Sequence, residues 1–492
     1  MGINITQSDF SDLDYQNFSR RLHDNLNALE SILANSNFGE GAPSFGAELE
    51  LYIIDKDARP LHINQEIQNK LNDPLLTLEL NRYNLEYNFS PVLLKDHCLS
   101  ATQQQALAAM EKINKCAKKW GGQAMPIGIL PTLEQADIGY HAMTKLPRYQ
   151  ALTKELTKIR GGPFTIAIEG PETIQLAMED VTLEGANTSF QIHLRVQPKE
   201  FANFYNALQL VTPLVLALAA NSPMLFGHRL WQETRIPLFK QSIDCRPKDP
   251  LHPVPARVNF GNNWIHHGAF ELFAEAVYLY RPVLPVCSNE DPLQVLKQGG
   301  TPHLHELRLQ QGSVWLWNRP VYDPIDGGHL RIEMRALPAG PSIADMLANS
   351  ALLIGLAQLM QAEIAQLLPA IPFAYCTSNF YRAAEKGLDA ELIWPSRRQN
   401  EPQYHKVSDI LTRLLPQIPD QLSELGFVES DYKPMLAIIE ERLATGQTGA
   451  QWQLDKLAKL KQEMPKREAL MAMVLDYQQY SEKNIPVAQW RI

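Results

Sequence analysis

The stretch FGAELELYIID, from Phe45 to Asp55, alternates apolar and polar residues. This period of two is typical of a β-strand with one buried face. Side chains two positions apart share a face of a strand, so we expect Glu48 and Glu50 to lie side by side. The repulsion between two such carboxylates must be offset, either by water on a solvated face or by a hard cation such as Mg2+. The strand alone therefore leaves a solvated acidic face and a metal site open.

The patterns around this strand predict the fold class. A helical pattern covers residues 12–35, and a second helix is expected over 100–119, with Ser100 as its cap. Strand patterns recur in FQIHLRV, residues 190–196, and in HLRIEMRAL, residues 329–337. The regular strand–helix alternation of a doubly wound sheet is missing from this order. We therefore predict an α+β fold in which helices flank a mainly antiparallel sheet.

Two further glutamates, Glu79 and Glu86, occur in TLELNRYNLEYNF, residues 77–89. Their odd spacing of seven would put them on opposite faces of one straight strand. A bend or bulge within residues 81–84 would let them converge. The alternative is a pair of exposed glutamates on an edge strand.

The two later strand patterns carry the remaining candidates for chemistry. His193 alternates with apolar residues, as either a structural histidine or part of a site. Arg331, Glu333 and Arg335 are expected on one strand face. They form either a ladder of ion pairs or a metal-binding glutamate beside an arginine that grips phosphate. Arginine suits that task because its planar group stays charged and can bind two oxygens at once.

Taken together, these stretches resemble the type 2 glutamate–cysteine ligases, carboxylate–amine ligases of the glutamine synthetase-like superfamily. The resemblance runs from Phe45 to Glu391. It rests on the number, order and spacing of GAELEL, ELNRYNLEYNFSP, FQIHLRV, NSPMLFGHRLWQETR, LRIEMRALP and NFYRAAEKGLDAELI. It implies a glutamine synthetase-like catalytic fold, in which metal ligands alternate on the antiparallel strands of a curved sheet.

The resemblance also implies a role for each matched residue. The ligands of two or three Mg2+ ions are implied to be Glu48, Glu50, Glu79, Glu86, His193 and Glu333. His193 would also lie near the nucleotide phosphates. Arg335 would face both the nucleotide and the transferred phosphoryl group, which makes Glu333 and Arg335 the catalytic pair. Arg229 and Arg235 fall where the family places basic residues near its anionic substrates.

Two positions depart from the family pattern. Ala47 stands where the first strand often continues a run of glutamates, and Gln191 replaces the first of two alternating histidines. Both departures spare the implied metal ligands and bear on the identity of the amine substrate.

The activity implied is an ATP-dependent ligation of the γ-carboxylate of glutamate to an amine, with cysteine as the implied amine. ATP would convert the carboxylate to an acyl phosphate, which the amine then attacks. Three alternatives remain. The first is an ATP:guanidino-type phosphotransferase that leaves a phosphorylated product. The second is a non-catalytic member that binds nucleotide or amino acid, and the third is a metal-dependent hydrolase that needs no ATP.

Composition narrows the partners and the compartment. The net charge of −9 argues against nucleic acid, whose phosphates require stripes of Lys and Arg. Five scattered cysteines without a CxxC motif, and an N-terminus without a signal-peptide pattern, indicate a cytoplasmic protein. The uncharged run Phe201–Gly227 holds too many polar residues for a membrane span and predicts a core helix. We expect small-molecule partners and no membrane, and a homo-oligomer is left open.

Three segments are predicted along the chain. Residues 1–40 form an N-terminal helix that packs on the core, and residues 41–395 form the catalytic domain. Residues 396–492, rich in Leu, Glu, Lys and Gln, form a helical C-terminal extension. Ser342 and Asp345 are expected to form a capping box at the start of a long apolar helix.

Overall fold

The computed structural model describes residue 7 and residues 9–246, 254–396 and 400–492. In chain order, the strands of these ranges are β1 (Ser44–Ile54), β2 (Leu76–Leu78), β3 (Asn84–Asn88), β4 (Val92–Leu93), β5 (Gln123–Met125), β6 (Phe164–Glu169), β7 (Thr173–Met178), β8 (Phe190–Val196), β9 (Met224–Leu225), β10 (His228–Arg229), β11 (Val258–Asn259), β12 (Trp315–Leu316), β13 (Asn318–Asp323), β14 (His329–Met334), β15 (Glu391–Ile393) and β16 (Tyr404–Lys406). The α-helices are α1 (Asp12–Leu33), α2 (Asn64–Leu71), α3 (Cys98–Ala117), α4 (Pro147–Arg160), α5 (Phe201–Ala219), α6 (Arg235–Ser242), α7 (Ala269–Tyr278), α8 (Pro292–Lys297), α9 (His305–Gln311), α10 (Ile343–Gln361), α11 (Ile364–Leu367), α12 (Phe373–Lys386), α13 (Val407–Leu414), α14 (Ile418–Glu424), α15 (Glu429–Thr445), α16 (Gly449–Leu460) and α17 (Lys466–Glu482).

A curved antiparallel sheet organises the fold, with the strand order β13-β14-β8-β1-β3-β2 and the short strands β4 and β5 paired to β1. β1 lies at its centre, between β8 and β3. Helices flank the sheet, so the predicted α+β fold with a curved, mainly antiparallel sheet is confirmed.

The two faces of β1 differ in polarity, as its alternation predicts. Phe45, Leu49 and Leu51 are no more than 1% exposed and pack in the hydrophobic core. Glu48 and Glu50 occupy the alternate positions and therefore lie on the opposite face. The strand begins and ends one residue earlier than the predicted stretch.

The segment with the two further glutamates forms a hairpin of β2 and β3 rather than one strand. The backbone N–H of Asn84 donates to the carbonyl of Asn81 at 2.9 Å, which closes the turn. The buried side-chain amide of Asn64 donates to the carbonyl of Asn81 at 3.2 Å and to the carbonyl of Asn84 at 3.1 Å. The predicted bend within residues 81–84 is therefore present, and it brings Glu79 and Glu86 to one region of the sheet.

Two long apolar helical segments, Pro198–Ala219 and Ile343–Gln361, are long and apolar enough to cross a membrane by length and composition. Their most apolar windows are 89% and 83% buried inside the protein. The predicted core helix after Phe201 is thus buried. The capping box of α10 is also present, since Ser342 Oγ accepts from the backbone N–H of Asp345 at 3.1 Å.

α3 begins at Cys98, and the prediction of Ser100 as its cap is wrong. Asp431 of α15 accepts the backbone N–H groups of Leu99 and Ser100 at 2.9 and 2.8 Å, and it also accepts the Ser100 hydroxyl. A carboxylate from a distant helix therefore satisfies the exposed donors of this helix start.

The C-terminal helices share the main hydrophobic core with the sheet. Arg442 of α15 donates to Asp345 of α10 at 2.6 Å, and both side chains are no more than 1% exposed. At the other end of the chain, α1 packs against α7, α8 and α9. The predicted segment boundaries near residues 40 and 395 stay predictions.

Candidate functional site

Most of the predicted site residues lie on the polar face of the sheet, opposite the core. The strand register aligns them in rows that cross several strands. In one row Glu333 of β14 lies opposite His193 of β8, which lies opposite Gly46 of β1. In another row Glu50 of β1 lies opposite Glu86 of β3. Alternation along each strand and antiparallel pairing between strands thus gather residues that are far apart in sequence.

The first group consists of Glu48, His193 and Glu333, whose donor atoms all lie within 4.8 Å of one another. Nε2 of His193 lies 3.1 Å from a carboxylate oxygen of Glu48, although the two are not aligned as a hydrogen bond. Nδ1 of His193 is buried and has no hydrogen-bond partner among the described residues. Burial raises the pKa of Glu48, but the nearby His193 imidazole and further favourable interactions together outweigh it and lower this pKa to about 2.

Two arginines hold the Glu333 carboxylate. Arg319 donates from Nε at 2.8 Å and from Nη2 at 2.5 Å, and Arg335 donates from Nη1 to the other oxygen. Burial opposes ionisation of Glu333, yet Arg319 and Arg335 hold its pKa well below the usual range. This carboxyl is therefore a fixed negative charge between two positive ones.

Glu50 belongs to a second acidic group on the same face. Its carboxylate accepts the backbone N–H of Ser189 at 2.7 Å and the amide Nε2 of Gln191 at 2.8 Å. Burial, and then the charge of Glu86, raise the pKa of Glu50 to about 8, although Arg335 opposes this. The Glu50 carboxyl group is therefore held in a fixed orientation, but too little positive charge lies around it for it to ionise easily.

Glu86 and Glu79 complete this group. Glu86 accepts from the Thr77 hydroxyl at 2.8 Å and from the Asn88 amide at 2.7 Å. Burial raises the pKa of Glu86. Burial, together with repulsion from the charges of Glu86 and Glu50, raises the pKa of Glu79 well above its ordinary value. Buried like charges of this kind need a proton or a cation to neutralise them.

A cavity that is partly open to solvent adjoins these carboxyl groups, and about 460 Å³ of space there, open solvent included, is free of protein atoms. It is lined by Glu50, Glu79, Asn84, Glu184, Gly185, Asn187, Thr188, Ser189, Arg235, Phe239, Trp317 and Arg335. Acidic groups, two arginines and two aromatic rings therefore surround one space. Such a lining can hold cations, anionic groups and the apolar part of a small molecule together.

The two arginines predicted to bind substrate differ in position. Arg235, the first residue of α6, is 2% exposed and lines the cavity. Arg229 of β10 is about half exposed and lies 3.5 Å from Glu172. Within the described chain, Arg229 is not among the residues that line the cavity. A substrate-binding role for Arg229 stays a prediction.

Sequence reasoning missed Arg319 and Glu184. Arg319 lies in NRPVYD, which carries only a weak alternation of polar and apolar residues, and it meets Glu333 through the pairing of β13 with β14. Glu184 lies in a short 3-10 helix, Glu184–Ala186, which has no periodic signal. Burial raises the pKa of Glu184 to about 7, although Arg335 and Arg148 oppose this.

Phosphoryl transfer depends mainly on charge neutralisation and positioning, and this site offers both. The carboxylates can hold divalent cations, and Arg335 can meet a phosphate oxygen while it remains paired with Glu333. The cavity beside them can hold the group that receives the phosphate.

The family model of glutamate–cysteine ligase family 2 (GCS2) matches residues 44–475. The match extends past Glu391, where the resemblance seen in the sequence ends, and into α17. Among curated proteins, none matches this chain.

Solved structures also resemble the chain. The glutamate–cysteine ligase of Francisella tularensis, solved in complex with AMP, shares 10% identity with a TM-score of 0.53, and the match covers 90% of each chain. A bifunctional glutathione synthetase from Pasteurella multocida matches with 11% identity and a TM-score of 0.47, over 94% of this chain and 55% of that one. The ligase PafA, solved in complex with the ubiquitin-like protein Pup, matches with 8% identity and a TM-score of 0.41, over 89% and 72%.

The likeness to the Francisella enzyme shows a shared fold, and the family match spans most of the chain. The resemblance predicted from the sequence is therefore confirmed, as are the ligase class and ATP as co-substrate. This chain belongs to glutamate–cysteine ligase family 2 and is an ATP-dependent carboxylate–amine ligase.

Proposed function

We propose that this ligase joins the γ-carboxylate of glutamate to the amino group of cysteine. A γ-carboxylate oxygen attacks the terminal phosphorus of ATP, the bond to ADP breaks, and an acyl phosphate forms. The nitrogen of the amine then attacks the acyl carbon, phosphate leaves, and the nitrogen loses its extra proton. The observation that carries the proposal is that the carboxyl groups of Glu50, Glu79 and Glu184 and the guanidinium groups of Arg235 and Arg335 line one cavity.

The donor set fits Mg2+, which is proposed as the cofactor in two or three copies. Glu48, His193 and Glu333 offer three close donor atoms, and the imidazole Nδ1 lacks a partner among the described residues. Glu50, Glu79 and Glu86 are the proposed ligands of the second group, where buried carboxyls repel one another. When bound, Mg2+ would supply the positive charge that draws the nucleotide phosphates to these carboxylates.

The protein's own groups divide the remaining work. Arg335 stabilises the negative charge of the moving phosphoryl group, and Arg319 keeps Glu333 ionised and oriented. Gln191 and the Ser189 backbone fix the direction of Glu50. Arg235 binds a carboxylate of an amino-acid substrate, since its buried Nε has no acceptor among the described residues.

The same proposal places the protein in the cytoplasm, with ATP and amino acids as its partners rather than nucleic acid or a membrane. The acidic net charge of −9 and the burial of the two long apolar helices support this.

The direct test measures ADP release and product mass with ATP, Mg2+ and glutamate, across a panel of amines that includes cysteine. We expect γ-glutamylcysteine, ADP and phosphate in equal amounts, and little ADP without the amine. A phosphorylated product without an amide would indicate a phosphotransferase. ATP binding without turnover on any amine would indicate a non-catalytic member, and turnover without ATP a hydrolase. Another amine as the preferred substrate would overturn the choice of cysteine.

A site test accompanies this assay. Glu333→Gln should abolish ADP release, because the neutral amide removes a proposed ligand and the partner of two arginines. Glu391→Gln, which alters an exposed strand glutamate, is the matched control and should leave turnover unchanged. Full activity in Glu333→Gln would remove the metal assignment.

A further inference from the structure

A chain of buried hydrogen bonds connects the last two long helices to Asn221, which follows α5. The Asn221 amide nitrogen donates to the Tyr477 hydroxyl of α17 at 2.8 Å. Its amide oxygen accepts from Gln453 of α16 at 2.9 Å. All three residues are fully buried. Because one amide end meets a donor and the other an acceptor, the orientation of Asn221 is fixed.

The chain continues from Asn221 to the cavity. The backbone N–H of Asn221 donates to one oxygen of Glu233 at 3.0 Å. The other oxygen of Glu233 accepts from Nη1 of Arg235 at 3.2 Å and from the hydroxyl of Ser222. Nη1 also donates to the carbonyl of Ala336 at 3.1 Å. The cavity-lining guanidinium is therefore held by groups that lie outside the cavity.

The close approach of the C-terminal helices to this chain is built into the sequence. A Cβ at Gly449, the first residue of α16, would lie 2.1 Å from the Asn221 amide oxygen. A Cβ at Gly340 would lie 2.4 Å from the Tyr477 hydroxyl. These distances are shorter than any real contact, so both positions require glycine for the two helices to reach Asn221.

A buried polar chain of this kind fixes one arrangement of its members. Each broken bond would leave a donor or acceptor without a partner in a medium of low dielectric constant. Glu233 is fully buried, and among the described residues it meets Arg235 as its cationic partner. Movement of Asn221 would therefore shift Glu233 and, through it, the guanidinium in the cavity.

We infer that α16 and α17 position Arg235 for binding of the amino-acid substrate, with Glu233, Asn221, Gln453 and Tyr477 as positioning residues. This inference rests on the proposed role of Arg235 in binding a substrate carboxylate. It gives the helical C-terminal portion a part in substrate recognition.

The test compares Tyr477→Phe and Glu233→Gln with wild type in steady-state kinetics of the full chain. We expect KM for the amino acid whose carboxylate Arg235 binds to rise about tenfold, with KM for ATP unchanged. Ser481→Ala is the matched control. This variant removes a buried 2.6 Å hydrogen bond from α17 to the Pro341 carbonyl, and it leaves intact the hydrogen bonds that connect Tyr477 to Arg235. Its KM values should stay at the wild-type level.

A second comparison separates this inference from the proposed function. If Arg235→Gln leaves KM for glutamate and for cysteine unchanged, the proposed role of Arg235 is wrong. If Arg235→Gln raises one of these constants while Tyr477→Phe and Glu233→Gln behave like Ser481→Ala, the positioning inference alone is overturned. An equal rise in KM for ATP would also overturn it, because that result indicates general loosening. Adding Tyr477→Phe to Arg235→Gln should cause no further rise.

Discussion

Replacement of Glu50 by glutamine is expected to stabilise the metal-free protein while it abolishes turnover. The pKa of this carboxyl is raised from 4.5 to about 8, so at pH 7 the folded state keeps a proton that the unfolded chain releases. Holding that proton costs about 3 kcal/mol. Glutamine avoids this cost but loses one of the two bonds accepted from Ser189 and Gln191, worth about 1 kcal/mol. The free energy of unfolding should therefore rise by about 2 kcal/mol.

Thermal unfolding at pH 7 in EDTA measures the first half of this prediction. For a chain of this length, 2 kcal/mol corresponds to a rise in Tm of about 2 °C. ADP release measures the second half and should fall at least about 100-fold, since a ligand of the proposed cations is lost. Glu169→Gln, an exposed glutamate on β6, should change neither quantity. A lower Tm for Glu50→Gln in EDTA, or retained turnover, would refute the reasoning.

Three further predictions concern pH, stability and substrate affinity. Between about pH 4.5 and pH 8 the metal-free protein should lose stability as pH rises, because folded Glu50 and Glu184 keep protons that the unfolded chain has released. Thermal unfolding measured from pH 5 to 8 should show a falling Tm in EDTA and a flatter dependence of Tm on pH with Mg2+. Arg442→Met should lower the free energy of unfolding by about 3–5 kcal/mol in urea titrations, because it leaves Asp345 as a buried unpaired charge, and adding Asp345→Asn should restore part of that loss. Trp317→Phe should raise KM for one amino-acid substrate about tenfold and leave KM for ATP unchanged. The reason is that Nε1 of this cavity-lining tryptophan is a buried donor without a partner among the described residues, so it can donate to a substrate. Equal KM values for wild type and variant would contradict this role as a donor.

Local periodicity predicted the elements that position the site. β8 spans the same seven residues as the predicted FQIHLRV strand, and β1 differs from its prediction by one residue at each end. Alternation within each stretch also placed Glu48, Glu50 and His193 on the strand faces opposite their apolar neighbours. These features depend on neighbours in the sequence, which is why one chain without relatives sufficed to predict them.

Features that depend on distant partners could not be read from the sequence in the same way. The pairing of Arg319 with Glu333 requires the register between β13 and β14, and the approach of Asp431 to α3 requires the packing of α15. Glu184 reaches the cavity from a short 3-10 helix. Arg229 lies in the two-residue strand β10 and Glu184 in a short 3-10 helix, and neither element is long enough to give a periodic pattern in the sequence. Only tertiary packing separates the exposed residue from the one that lines the cavity.

The alternation of residues 44–50 of β1 between a core face and a face that carries Glu48 and Glu50 has a consequence for how such a chain can vary. Loss or gain of one residue inside this strand would turn Glu48 and Glu50 inward and send leucines towards the cavity, so folding and chemistry would fail together. Changes of length can therefore accumulate only in the connections between strands, where the phase of the alternation is left intact. Substitutions within β1 can therefore be tolerated, whereas an insertion or deletion of an odd number of residues cannot, because it would exchange the two faces of the strand.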